Sequence, residues 1–113
     1  MQRLNTQNFF TNSKRGKHHE KRRIFRERVK SIVCTDRNRQ YGEPEDNFTV
    51  IANLWCDYLR GAGVNIDFLE PYDVAMMMVL FKVARAATTQ NGPTEDTFLD
   101  IAGYAACGVE CLE

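Results

Sequence analysis

Apolar residues recur at helical spacing from about residue 19 onward. Ile24, Phe25, Val29, Ile32 and Val33 fall near i, i+4, i+5 and i+8, which predicts a first helix from about His19 to Cys34. Its other faces carry Lys21, Arg22, Arg23, Arg26, Arg28 and Lys30, so this helix is amphipathic and basic. A second helix is expected from Pro44 to about Arg60. Proline suits a first turn, where its missing N–H costs nothing, and Glu43, Glu45 and Asp46 sit at the positive end of the helix dipole. Phe48, Ile51, Ala52, Trp55, Tyr58 and Leu59 form its expected buried face, and Gly61-Ala62-Gly63 ends it. A third helix starts near Pro71 with Asp73 in its first turn. From Val74 to Ala87 it is apolar nearly all round, which predicts a central position with Met76, Met77 and Met78 filling gaps in the core. After the turn Asn91-Gly92-Pro93, Thr94 caps a fourth helix whose expected buried stripe is Phe98, Ile101, Ala102, Ala105 and Val109. Gly103, Ala106 and Gly108 are small enough to admit a close neighbour; glycine inside a helix costs about 1 kcal/mol against alanine, so a packing reason is expected. Strand signals are weak throughout. The fold class is all-α, a bundle of about four helices.

Residues 1–18 lack periodicity and are rich in Asn, Gln, Thr, Ser, Lys and Arg, so they read as a basic disordered arm on a single domain spanning 19–113. Charge sharpens this division. The chain is formally neutral, yet residues 1–40 carry twelve Lys and Arg against three Asp and Glu, and residues 41–113 carry three against twelve. Such asymmetry suits contact with nucleic acid, and equally a solvated arm on an acidic domain. About 90 ordered residues give a modest core, for which a homodimer or higher oligomer is the expected supplement. No run of eighteen apolar residues exists to span a membrane, and the N-terminus lacks a signal-peptide core. Cys34, Cys56, Cys107 and Cys111 form no CxxC and read as reduced, mostly buried thiols.

Two constellations carry candidate chemistry. Asp96 and Asp100 are four residues apart, hence on one helix face. Pairing the third and fourth helices antiparallel across the turn at 90–93 brings Lys82 and Arg85 to their level. Two carboxylates beside two cations read either as a magnesium–phosphate site or as interhelical salt bridges. The second constellation is the segment from Arg37 to Phe48, a basic loop leading into a helix N-terminus. It offers Arg37, Arg39, Tyr41 and Asn47 as substrate contacts, while Glu43, Glu45 and Asp46 suit a metal or plain helix capping. No P-loop, dinucleotide glycine pattern or Gly-x-Ser-x-Gly elbow occurs, and both histidines lie in the arm or at its edge.

The run Tyr41-Gly42-Glu43-Pro44-Glu45-Asp46-Asn47-Phe48, followed by Ile51-Ala52 and Leu54-Trp55, resembles the opening of a small helical domain family common in tailed phages. Asp73-Val74-Ala75-Met76-Met77, Lys82-Val83-Ala84-Arg85 and Asp100-Ile101-Ala102-Gly103-Tyr104-Ala105 resemble the same family, and the matches cover residues 37–113 in order. More distantly, the domain is similar to the MazG-like all-α nucleotide pyrophosphohydrolases. Those are helical bundles that dimerise and use magnesium held by Glu-x-x-Glu and Glu-x-x-Asp. Here Glu43-Pro44-Glu45-Asp46 matches Glu-x-x-Asp, at a helix start. The resemblance implies a protein in the cytoplasm of an infected bacterial host that binds or hydrolyses a nucleoside triphosphate with magnesium. In that reading Asp96, Asp100, Asp73 and Glu45 hold the metal, and Asp100, Asp96, Lys82 and Arg85 carry the chemistry. Two alternatives stay open. One is nucleic-acid binding through Lys21, Arg22, Arg23, Arg26 and Lys30, with DNA as partner. The other is a small modulator that docks on a host protein.

Overall fold

A computed structural model describes residues 12–31 and 42–112 as four helices: α1 (Asn12–Ser31), α2 (Pro44–Gly61), α3 (Pro71–Thr88) and α4 (Glu95–Glu110). No strand occurs among the described residues. Three of the four starts follow the sequence signals. Pro44 and Pro71 open α2 and α3, and Thr94 caps α4. In the α4 capping box the Thr94 hydroxyl accepts from the Thr97 N–H, and Thr97 returns a bond to the Thr94 N–H at 3.1 Å. Replacing Thr94 with alanine is therefore expected to cost about 1 kcal/mol in thermal or urea unfolding. The start of α1 departs from expectation: it is helical from Asn12, within the segment read as an arm. A polar exposed helix needs no apolar stripe to extend it, so periodicity gave no sign of those turns.

α3 and α4 form the most extensive pair, antiparallel across a turn in which Gly92 takes φ +74. α2 packs on both, and α1 lies against α4 alone among the described helices. The close approach of α3 and α4 explains one of the helical glycines: a Cβ on Gly108 would lie 3.1 Å from the Ala75 Cβ. At the other end of α2, Arg60 donates to the Ile66 carbonyl at 3.1 Å and to that of Asp67, tying the 62–70 connection back to its helix.

The core is small and lies where the three later helices meet. Phe48, Ala52, Val74, Ala75, Cys107 and Cys111 form it, with Val29, Trp55, Leu69 and Tyr104 packed around. Phe48 is 1 % exposed and stacks on Tyr104, ring centroids 6.4 Å apart. Cys56, Cys107 and Cys111 are buried and none forms a disulfide, as the sequence suggested; Cys34 lies outside the described residues.

The buried faces are narrower than expected and rotated. In α2 the buried stripe is Pro44, Phe48, Ala52 and Cys56, a pure i+4 row, while Tyr58 is 74 % exposed. In α4 it is Leu99 and Cys107, continued by Cys111 just past its end, and Phe98 and Val109 face out. The methionines do not fill the core as anticipated, since Met76 and Met77 are exposed and Met78 only half-buried. Among the described helices α2 and α4 are the neighbours of α3, and no other described helix covers its remaining sides. One consequence is an apolar groove between α3 and α4, lined by Tyr72, Met76, Val79, Tyr104, Val109 and Leu112. The expectation of a dimer has its physical motive there. No described helix is long and apolar enough to cross a membrane.

Candidate functional site

The antiparallel register of α3 and α4 is decided by the short 89–94 connection, and it sets Lys82 opposite Asp100. The Lys82 Nζ lies 3.1 Å from the Asp100 Oδ2. Lys82 is half-buried and Asp100 is near the surface, with side-chain exposures of 22 % and 47 %. One helical turn further along α3, Arg85 leans over the Phe81 ring, 5.1 Å from its centroid. Lys82, Arg85, Thr89, Thr94, Asp96 and Asp100 line one open cleft of about 210 Å³. All four residues singled out for chemistry therefore share one wall-to-wall site. Thr89 and Thr94 were not anticipated. Their hydroxyls serve local backbone bonds, Thr89 to the Arg85 carbonyl at 3.2 Å and Thr94 within its capping box. Threonines beside a turn gave no signal beyond capping.

Asp96 is shared. Its Oδ1 lies 3.7 Å from Arg28 of α1, which donates to Glu95 at 2.8 Å. Arg28 thus fastens α1 to the first turn of α4, where negative charge also suits the helix dipole.

The remaining sequence candidates do not join the cleft. The Asp73 carboxylate accepts the Glu70 N–H at 2.9 Å as half of the α3 capping box. Twelve residues separate Asp73 from Arg85 on one straight helix, roughly 18 Å at 1.5 Å per residue. Glu45 is exposed in the first turn of α2, and Asn47 is half-buried there. No group of three or more His, Cys, Asp or Glu gathers as a metal cluster among the described residues. Of the four carboxylates expected to hold a metal, Asp96 and Asp100 share the cleft, while Asp73 caps α3 and Glu45 lies in the first turn of α2. Arg37, Arg39 and Tyr41 lie outside the described residues.

The basic residues of the first helix are all on α1. Lys21, Arg22, Arg23, Arg26 and Lys30 are exposed. Arg23 is occupied by Glu20; the hydrogen bond between them, and then their charges, hold the Glu20 carboxyl below its ordinary range and the Arg23 guanidinium above its own.

Residues 24–112 match a family described as a domain of unknown function, DUF6378. The chain belongs to the DUF6378 family. Both the α3–α4 cleft and the later part of α1 fall inside the matched region. Among curated proteins, the Gene 55 protein of Mycobacterium phage L5 is 43 % identical over 77 residues, covering 68 % of this chain and 45 % of that protein. The Gene 55 protein of Mycobacterium phage D29 is 40 % identical over 81 residues, covering 72 % of this chain and 48 % of that protein. The chain thus spans less than half the length of these relatives. The phage family expected from the sequence is the one found. No solved structure matches the chain.

Proposed function

We propose that the α3–α4 cleft binds the phosphate groups of a nucleoside triphosphate together with magnesium. The observation that carries this reading is the convergence of Lys82, Arg85, Asp96 and Asp100 on one cleft from two helices. The substrate class comes from the resemblance to all-α nucleotide pyrophosphohydrolases. Magnesium is commonly held by one or two carboxylates, with waters and substrate phosphates completing its shell, so two aspartates suffice. Asp96 and Asp100 are hard oxygen donors one helical turn apart, and each is exposed enough to turn a lone pair outward. Bound there, the metal would offset the charge of the phosphate oxygens.

The chain's own cations have separate parts. Arg85 has no carboxylate within salt-bridge reach among the described residues, so its planar fork is available to phosphate oxygens. Lys82 holds Asp100 in place and adds a second positive charge. At about 210 Å³, the cleft has the room of roughly seven waters at about 30 Å³ each. That admits phosphate and metal, while the nucleoside lies outside.

A thermal-unfolding screen tests this reading, run with ribo- and deoxynucleoside triphosphates with and without magnesium. A ligand at one hundred times its Kd stabilises the fold by about 2.7 kcal/mol, a shift of several degrees for a domain this size. One nucleotide class should raise Tm only when magnesium is present. Equal Tm across the whole panel would leave Lys82 and Asp100 as a structural salt bridge.

A further inference from the structure

A second cleft lies on another side of α4, between its first turn and α1. Its floor is aromatic, with Phe25 from α1 and Phe98 from α4, and its rim carries His18, Lys21, Arg22 and Arg26. It is about 540 Å³ and open to solvent. Phe98 is 55 % exposed, so this ring is presented to solvent rather than spent on the core.

Two acidic groups near this cleft are already engaged. Glu95, which also lines it, is bound by Arg28 at 2.8 Å, and Glu20 is bound by Arg23. Among the described residues no carboxylate lies within salt-bridge reach of Lys21, Arg22 or Arg26. Arg22 hydrogen-bonds the His19 ring, at 3.1 Å. Three cations with no ion-pair partner therefore surround two accessible aromatic rings. The charge of the whole chain points the same way: residues 41–113 are strongly acidic, so a polyanion is repelled elsewhere and steered to α1.

We infer that this cleft binds single-stranded nucleic acid, with bases stacked on Phe25 and Phe98 and backbone phosphates held by Lys21, Arg22 and Arg26. Single strands combine a charged backbone with unstacked bases, which is the ligand that an aromatic floor inside a basic rim accommodates. A duplex keeps its bases stacked inside and would use only the cations. An anionic membrane would need a broad apolar face on α1. Of its apolar residues Val29 is packed against the core, which leaves Ile24 and Phe25. The proposal does not rest on the nucleotide reading of the α3–α4 cleft, and its test involves neither Lys82 nor Asp100.

Fluorescence anisotropy tests it on the full chain. The probes are a labelled oligothymidylate of roughly sixteen nucleotides, at the upper end of common single-strand site sizes, and a duplex of equal length. The single strand should bind more tightly than the duplex, and its affinity should fall steeply with added salt. Phe98→Ala should weaken single-strand binding on the order of ten-fold while leaving duplex binding unchanged, and Phe98→Trp should restore it. Arg26→Gln, on the exposed rim, should weaken both probes. Circular dichroism should show unchanged helix content in all three variants. Equal or tighter duplex binding, or single-strand affinity indifferent to Phe98→Ala, would overturn the proposal. So would binding confined to anionic vesicles or to acidic polypeptide.

Discussion

Phe48→Ala is expected to remove about 3–5 kcal/mol of stability, the usual cost of emptying a buried phenylalanine site. Single domains are stable by only about 5–15 kcal/mol, so the variant should sit close to unfolding at room temperature. The size of the effect follows from the economy of this core. Phe48 is the largest of its side chains, buried to 1 %, and it touches the i+4 row of α2, the α3 start and Tyr104 of α4. Few other large side chains are available to collapse into the void, because Ala52, Ala75 and Cys107 are small. Urea unfolding should show a lower midpoint with an unchanged slope, since the surface exposed on unfolding is nearly the same. A midpoint unmoved by the substitution would mean that the three later helices do not meet around this ring.

Asp100→Asn is expected to act on binding instead of stability. The substitution keeps the shape of the side chain and removes the charge that pairs with Lys82 and that would face magnesium. Ion pairs with an exposed partner contribute about 0.2–1 kcal/mol, and Asp100 is 47 % exposed, so the stability change should stay below about 1 kcal/mol. Magnesium-dependent nucleotide affinity should fall on the order of ten-fold or more, since a charged contact is worth about 1.5–3 kcal/mol. Urea unfolding and equilibrium titration on the same sample separate the two readings of this pair. A large loss of stability with unchanged nucleotide affinity would assign Lys82 and Asp100 to structure alone.

Much of this architecture is legible in the sequence because it depends on local chemistry. Proline at a first turn, threonine as a cap and glycine at a turn act within a few residues, and they place three helix starts correctly. The Lys82–Asp100 register is legible for a related reason: a short connection leaves few ways to align two antiparallel helices. The buried faces are not legible to the same degree. Hydrophobicity marks what could be buried, but how much is buried depends on how many neighbours a helix has. Tyr58, Met76 and Val109 look like core residues by spacing and are exposed because no further described helix covers them. Phe98 is the instructive case for function. Its spacing puts it on the core stripe, yet a small rotation of α4 turns it toward α1, seventy-odd residues away in sequence, where it meets Phe25 and the basic rim. Nothing local distinguishes those two outcomes. Asp73 shows the converse, since a carboxylate that resembles a metal ligand by type is consumed by a helix cap three residues away.

Nucleotide binding in the α3–α4 cleft is best tested by calorimetric titration of nucleoside triphosphates with magnesium into the wild-type chain and into Arg85→Ala. Arg85 is exposed and makes no ion pair among the described residues that its loss would break, so folding should be preserved. The expected result is saturable binding of one nucleotide class to the wild type, weakened on the order of ten-fold or more by Arg85→Ala. Equal affinity in the two proteins, or no binding of any nucleotide to the wild type, would contradict it.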